Sequence, residues 1–112
     1  MEQDQVIENL IQELRRGVVV LVVLSQLQEE QYGYSILKLL SERGLEVDQG
    51  TLYPLMRRLE TQGLLESRWR LEDARPRRYY AISAEGRKIL PRLLSEWEKI
   101  VSTIEPLLLR KE

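Results

Sequence analysis

The chain contains neither cysteine nor histidine. Without cysteine there is no disulfide framework, no thiolate metal site and no cysteine nucleophile. Without histidine the commonest general base and the commonest zinc ligand are both missing, so proton transfer would fall to carboxylates, lysines and tyrosines. None of the carboxylates forms a recognisable catalytic pair or metal-ligand cluster: Glu29 with Glu30 and Glu72 with Asp73 read as solvated loop charges. Catalysis is therefore not expected, and neither is a metal or a cofactor. Long apolar runs are lacking too. The longest, Val18 to Leu24, falls far short of the roughly 20 residues that a membrane-spanning helix needs, and no basic start with a small-residue cleavage site precedes it. A cytoplasmic protein without membrane attachment is the expectation.

What is present suits one globular domain: 112 residues, 43% hydrophobic and 31% charged. The net charge is only −1, yet its distribution is uneven. Through Met56 there are four basic and nine acidic residues, whereas Arg57 to Arg92 holds ten basic and five acidic. Positive charge gathered in one block is the footprint of a segment that faces phosphates.

Periodicity predicts a mainly α fold with a small β hairpin. Ile7, Leu10, Ile11, Leu14, Val18 and Leu21 follow helical spacing toward Leu24 and Leu27, with a bend expected at Gly17. Gly33 opens a second segment with Ile36, Leu37, Leu39 and Leu40 on its apolar face, and Gly44 stands where a left-handed residue ends a helix. A third helix carries Leu52, Leu55, Met56 and Leu59; either Asp48 or Thr51 caps it, and Pro54 suits the first turn only if the cap is Thr51. After Gly63 the period changes. Leu65, Ser67, Trp69 and Leu71 alternate with polar residues, Glu72 to Pro76 reads as a turn, and Arg77 to Ile82 as a second strand. Ser83 then caps a last helix running from Ala84 toward Leu108. Two short helices, a brief turn and a basic hairpin make a winged helix-turn-helix with a long C-terminal helix.

On the third helix Gly50, Tyr53, Arg57 and Thr61 lie opposite the apolar stripe, and with Thr51 they are the candidates for contact with double-stranded DNA. Arg75, Arg77 and Arg78 at the hairpin tip would lie across the phosphate backbone or enter a groove, with Arg68 and Arg70 adding charge. Trp69, Tyr79 and Tyr80 read as packing residues of the hairpin.

Several stretches together resemble the PadR family of transcriptional regulators: Tyr32-Gly33-Tyr34, Gly50-Thr51-Leu52-Tyr53-Pro54-Leu55, Arg58-Leu59-Glu60, Gly63-Leu64-Leu65, Pro76-Arg77-Arg78-Tyr79-Tyr80 and Gly86. The match runs from about Gly17 to Trp97. The resemblance implies a bacterial or archaeal regulator, usually a repressor, whose paired winged helices bind a palindromic operator until an effector relieves binding. A short-tailed branch, similar to this chain in length, includes regulators of multidrug efflux that bind flat aromatic compounds between the subunits. Two features depart from the pattern, an acidic N-terminal extension and Pro91 inside the last helix.

Leu90, Leu94, Trp97, Val101, Ile104 and Leu108 recur at alternating spacings of four and three, a heptad seam suited to a homodimer interface. Residues 1–83 are thus expected to form the DNA-binding domain with its N-terminal helical extension, and residues 84–112 a dimerisation helix bent or broken by Pro91 near Arg87. Trp97 on the seam is the candidate binding surface for a planar aromatic small-molecule effector, with Glu96 or Glu98 favouring cations. Two other readings stay open at this point, a winged-helix protein-interaction module without DNA binding and a small enzyme.

Overall fold

A computed structural model describes residues 2–109 of the chain. The apolar stripes converge on a single core. Helix α1 (Glu2–Gln26) contributes Val19, Val23 and Leu24, followed by Leu27 just beyond its end. Helix α2 (Gly33–Glu42) adds Ile36 and Leu40, and α3 (Gln49–Thr61) adds Leu52, Leu55, Met56 and Leu59. Strands β2 (Leu65–Glu72) and β3 (Arg75–Ile82) close the core with Leu65, Tyr80 and Ile82, and α4 (Ala84–Leu108) inserts Leu90. Burying each such aliphatic side chain stabilises the fold by roughly 1.5–3 kcal/mol.

Local chemistry sets the ends of these elements. Helix α2 stops at Gly44, whose φ of +93° is open to glycine at little cost, while the Leu45 N–H closes back on the Leu40 carbonyl at 2.8 Å. The alternatives at α3 resolve in favour of Asp48: its Oδ1 accepts from the Thr51 N–H at 2.8 Å. Pro54 therefore lies in the second turn, and the helix continues through it. Helix α1 likewise runs unbroken past Gly17, and α4 past both Pro91 and Pro106, so no break occurs near Arg87.

At the root of α4, the Ser83 Oγ accepts from the Gly86 N–H at 3.0 Å and donates to the Gly63 carbonyl at 2.7 Å. The Ser83 N–H donates to the Leu64 carbonyl at 2.9 Å, and Arg87 reaches across to the Gln28 carbonyl at 2.8 Å. Gly86 packs so tightly here that a Cβ would run into the Leu64 carbonyl oxygen and approach Ile82 Cγ1 to 2.6 Å. Only glycine fits.

The sheet has three antiparallel strands in the order β1-β3-β2, because a two-residue strand, β1 (Gln31–Tyr32), pairs with β3 through Gln31 with Tyr80 and Tyr32 with Tyr79. Periodicity does not foretell β1, since two residues carry no alternation. The hairpin turn is also tighter than the sequence suggests. Glu72 still pairs with Arg75, and Leu71 with Pro76, leaving Asp73 and Ala74 as a two-residue turn with φ of 50° and 62°. Pro76 is tolerated because β1 reaches only as far as Tyr79, so nothing needs its missing N–H.

The first half of α1 and the second half of α4 project from this core. The radius of gyration, 16.5 Å, exceeds the roughly 13 Å of a compact chain of similar length. Val6, Ile7, Leu10 and Leu14 on α1 are about half exposed or more, as are Ile100, Leu107 and Leu108 on α4. Two long helices thus carry apolar surface that the single chain does not cover.

Candidate nucleic-acid interface

Helix α3 packs directly against the hairpin strand β2. On α3 the faces separate cleanly: Leu52, Leu55, Met56 and Leu59 are buried, while Gly50, Thr51, Arg57 and Thr61 are exposed. Tyr53 is half-buried, with its ring edge 3.7 Å from where a Gly33 Cβ would stand, so Gly33 is the seat that lets it fold against α2. Burial, and after it the neighbouring Tyr32, Tyr34 and Tyr80 phenols, push the Tyr53 hydroxyl above its ordinary value. It stays a neutral donor over the whole physiological range. At the N-terminus of α3, Asp48 already satisfies the Thr51 amide, so less of the helix dipole is left for an incoming phosphate.

The hairpin sorts its arginines by strand parity. One face carries Arg68, Arg70, Arg75, Arg77 and Tyr79 beside Tyr32, and the other carries Trp69 and Arg78 beyond the core residues Leu65, Tyr80 and Ile82. Arg77 and Arg78 therefore point to opposite sides.

Their partners differ as well. The Arg78 guanidinium donates to Glu60 Oε1 at 2.9 Å and to the Ser67 Oγ at 3.1 Å, while Ser67 donates to Glu60 Oε2 at 2.6 Å. This half-buried clamp joins the last turns of α3 to both hairpin strands. Arg68 forms a bidentate pair with Glu30 at 2.6 and 2.9 Å, and Arg70 meets the same carboxylate at 3.0 Å. Hydrogen bonding from Arg68, together with the charges of Arg68 and Arg70, holds Glu30 below its ordinary value against a smaller effect of burial. Tyr79 donates to Glu72 Oε2 at 2.6 Å, and that bond, with burial second, raises its pKa.

Arg77 stacks over the Tyr32 ring at 4.9 Å, and Arg75 is exposed at the tip. Among the described residues, Arg57, Arg75 and Arg77 have no carboxylate at ion-pair distance, whereas Arg68, Arg70 and Arg78 do. The hairpin's positive charge is thus smaller than its composition suggests. Glu30 and Glu72, which the sequence reads as solvated loop charges, are instead partnered by Arg68, Arg70 and Tyr79, and Glu60 holds Arg78; charge is visible in a sequence, but pairing across 38 or 18 residues is not. Trp69, expected to pack, is instead 64% exposed beside Arg78, because the core ends at Tyr80 on that face.

Of the seam residues, Leu90 is buried in the chain's own core, so the uncovered part begins at Leu94. Leu94, Trp97 and Ile104 remain about 40% exposed, Val101 is partly covered, and Leu108 is 66% exposed. Among the described residues no group of carboxylates could hold a metal ion, and no helix is long and apolar enough to cross a membrane.

Known proteins share this architecture and its residues. Residues 20–92 match the family described as "Transcriptional regulator PadR-like family". A PadR family transcriptional regulator from Eggerthella lenta, known from its crystal structure, is 41% identical, with 99% of each chain covered and a TM-score of 0.88. A transcriptional regulator from Clostridium thermocellum is 31% identical over 87% of this chain and 99% of its own, with a TM-score of 0.78. A transcriptional regulator of Mycobacterium tuberculosis is 40% identical over 81 residues, 71% of this chain and 76% of its own length. The chain belongs to the PadR-like family of transcriptional regulators, a family of DNA-binding regulators and not of enzymes.

Proposed function

We propose that the chain acts in the cytoplasm as a homodimeric repressor that binds a pseudo-palindromic operator and is released by a planar aromatic effector. The observation that carries DNA contact is the unpaired positive charge of Arg57 on the outward face of α3 and of Arg75 and Arg77 on the hairpin. Long guanidinium groups without carboxylate partners are free to neutralise phosphates or to read a guanine edge. In this reading Gly50, Thr51, Tyr53 and Thr61 line the part of α3 that enters the major groove. Arg78 supports the hairpin from behind.

Dimerisation is supported by the apolar surface left on α4, from Leu94 through Trp97, Val101 and Ile104 to Leu108, together with the exposed stripe of α1. A two-fold pairing of these helices would cover both stripes and set two copies of α3 about one DNA helical turn apart. Trp97 would then approach its symmetry mate, and two indole faces would sandwich a flat ring.

Footprinting upstream of the protein's own gene tests the reading. Two protected half-sites about one turn apart are expected, and uniform protection without a preferred site would sink it. For the effector, Trp69→Phe leaves Trp97 as the single indole reporter. Saturable quenching by a planar dye, accompanied by weaker operator binding, is the expected result.

A further inference from the structure

The hairpin face that points away from the core carries Arg68, Arg70, Arg75 and Arg77. Cross-strand pairing sets Arg70 directly opposite Arg77, which places their Cβ atoms about 5 Å apart. A phosphate within reach of one is therefore within reach of the other, yet the two are not equally free. Glu30 draws in Arg68 through both Nε and Nη2, at 2.6 and 2.9 Å, and Arg70 through Nη2 at 3.0 Å. The Arg68 edge that would fork a phosphate is thus already filled by a carboxylate of the same chain. The two arginines stay accessible, with 61% and 43% of their side chains exposed, whereas Glu30 is the sheltered partner at 27%.

The backbone holds this carboxylate in place. Glu30 immediately precedes β1, where Gln31 pairs with Tyr80, and the Gln31 side chain ties back to the Gln26 carbonyl at 2.9 Å. Because β3 separates β1 from β2, Glu30 reaches across the middle strand to arginines on the far one. Its neighbour Glu29 is exposed and, among the described residues, makes no ion pair. Two adjacent carboxylates of one loop thus differ in whether they hold the hairpin's arginines.

Resting on the DNA-binding reading, we infer that Glu30 sets the strength of sequence-independent DNA binding: it occupies Arg68 and Arg70 in the free protein, and a phosphate must displace it to reach them. Glu30 acts through these arginines and is a positioning residue. Carboxylate and phosphate compete for the same guanidinium fork, and the carboxylate is already attached. The result is a regulator that leaves random DNA more readily than its arginine count implies. A purely structural role is the rival reading, in which Glu30 only relieves repulsion among Arg68, Arg70 and Arg77 and the duplex stays clear of the first two. Removing Glu30 costs stability in both cases. Only in the first does it change the number of phosphates neutralised, and each added phosphate steepens the dependence of binding on salt by about 0.9.

Fluorescence anisotropy of the full chain with a labelled random-sequence duplex, titrated between roughly 50 and 200 mM salt, provides the test. All variants are compared well below the melting temperature of the least stable one. Glu30→Gln should bind about tenfold more tightly than the parent at the low-salt end, with a salt slope steeper by about one to two. Glu29→Gln removes the same charge from the same loop without freeing an arginine, and should stay within about twofold of the parent. In an Arg68→Gln/Arg70→Gln background, Glu30→Gln should add no more than about twofold, because the groups it acts through are gone. Parental affinity and slope in Glu30→Gln overturn the inference and establish the structural role. Weaker binding overturns it as well, since Glu30 would then be aiming the arginines at the duplex. So does an equal gain from Glu29→Gln, or a gain that persists without the two arginines. Should the parent bind neither random duplex nor any footprinted site, the DNA reading itself falls and this inference with it.

Discussion

Arg77 and Arg78 are neighbours in sequence with opposite employment. Arg78 holds Glu60 and Ser67, with about a third of its side chain exposed, so Arg78→Ala should cost about 1 kcal/mol of stability by leaving Glu60 half-buried and unpaired. Arg77→Ala should leave thermal unfolding nearly unchanged but weaken binding to specific and random duplex alike, and lower the salt slope by about one. Melting curves beside salt-dependent titrations separate the two. The opposite assignment, with Arg77 stabilising and Arg78 salt-sensitive, would reverse the reading of the two hairpin faces. Glu30 adds a dependence on pH. Its folded pKa lies below the ordinary glutamate value of 4.5, so its stabilising effect is present above that value and is lost as pH falls through the lowered one. Glu30→Gln should therefore be less stable than the parent at neutral pH and converge with it in acid. Parallel stability curves across that range would show that the pair with Arg68 contributes nothing.

Among the elements, the hairpin shows how far pattern reading reaches. Its strands were legible because Leu65, Ser67, Trp69 and Leu71 alternate with polar residues, but its turn was not. Asp73-Ala74 lacks the glycine that usually marks a two-residue connection, and Pro76 looks like a breaker until the open side of β3 is seen. Ala74 at a φ of 62° is a strained choice that glycine would relieve. Ala74→Gly should stabilise the protein by up to about 1 kcal/mol, read as a higher melting temperature with unchanged DNA affinity. A lower melting temperature would mean that the loss of unfolded-state restriction outweighs the relief. The helix ends were more transparent, since Asp48, Gly44 and Ser83 each act through a bond to the nearest backbone, and such short-range chemistry is written locally. The strand β1 and the carboxylates Glu30 and Glu60 were not visible, because their meaning depends on what folds against them from far along the chain.

At the scale of the molecule, the uncovered faces of α1 and α4 are the surfaces assigned to the proposed dimer. Ile104→Asp should give a monomer, or an unfolded chain, in sedimentation at micromolar concentration, because a carboxylate buried without a partner costs about 3–5 kcal/mol. A dimer of parental stability would move the interface elsewhere. The root of α4 has a consequence for signalling. Ser83 touches the end of α3 through Gly63 and the start of β2 through Leu64, while Arg87 secures the same root to the α1–β1 loop. With Gly86 leaving no slack, α4 behaves as a lever welded to the reading head instead of hinged on it. A ring wedged between two such levers, about 37 Å long at 25 residues each, would change the distance between the two reading heads without bending anything inside either one. Loosening the weld with Ser83→Ala should cost about 0.5–2 kcal/mol. It should also leave dye binding at Trp97 intact while blunting the dye's effect on operator affinity, so that the signal is received and not passed on.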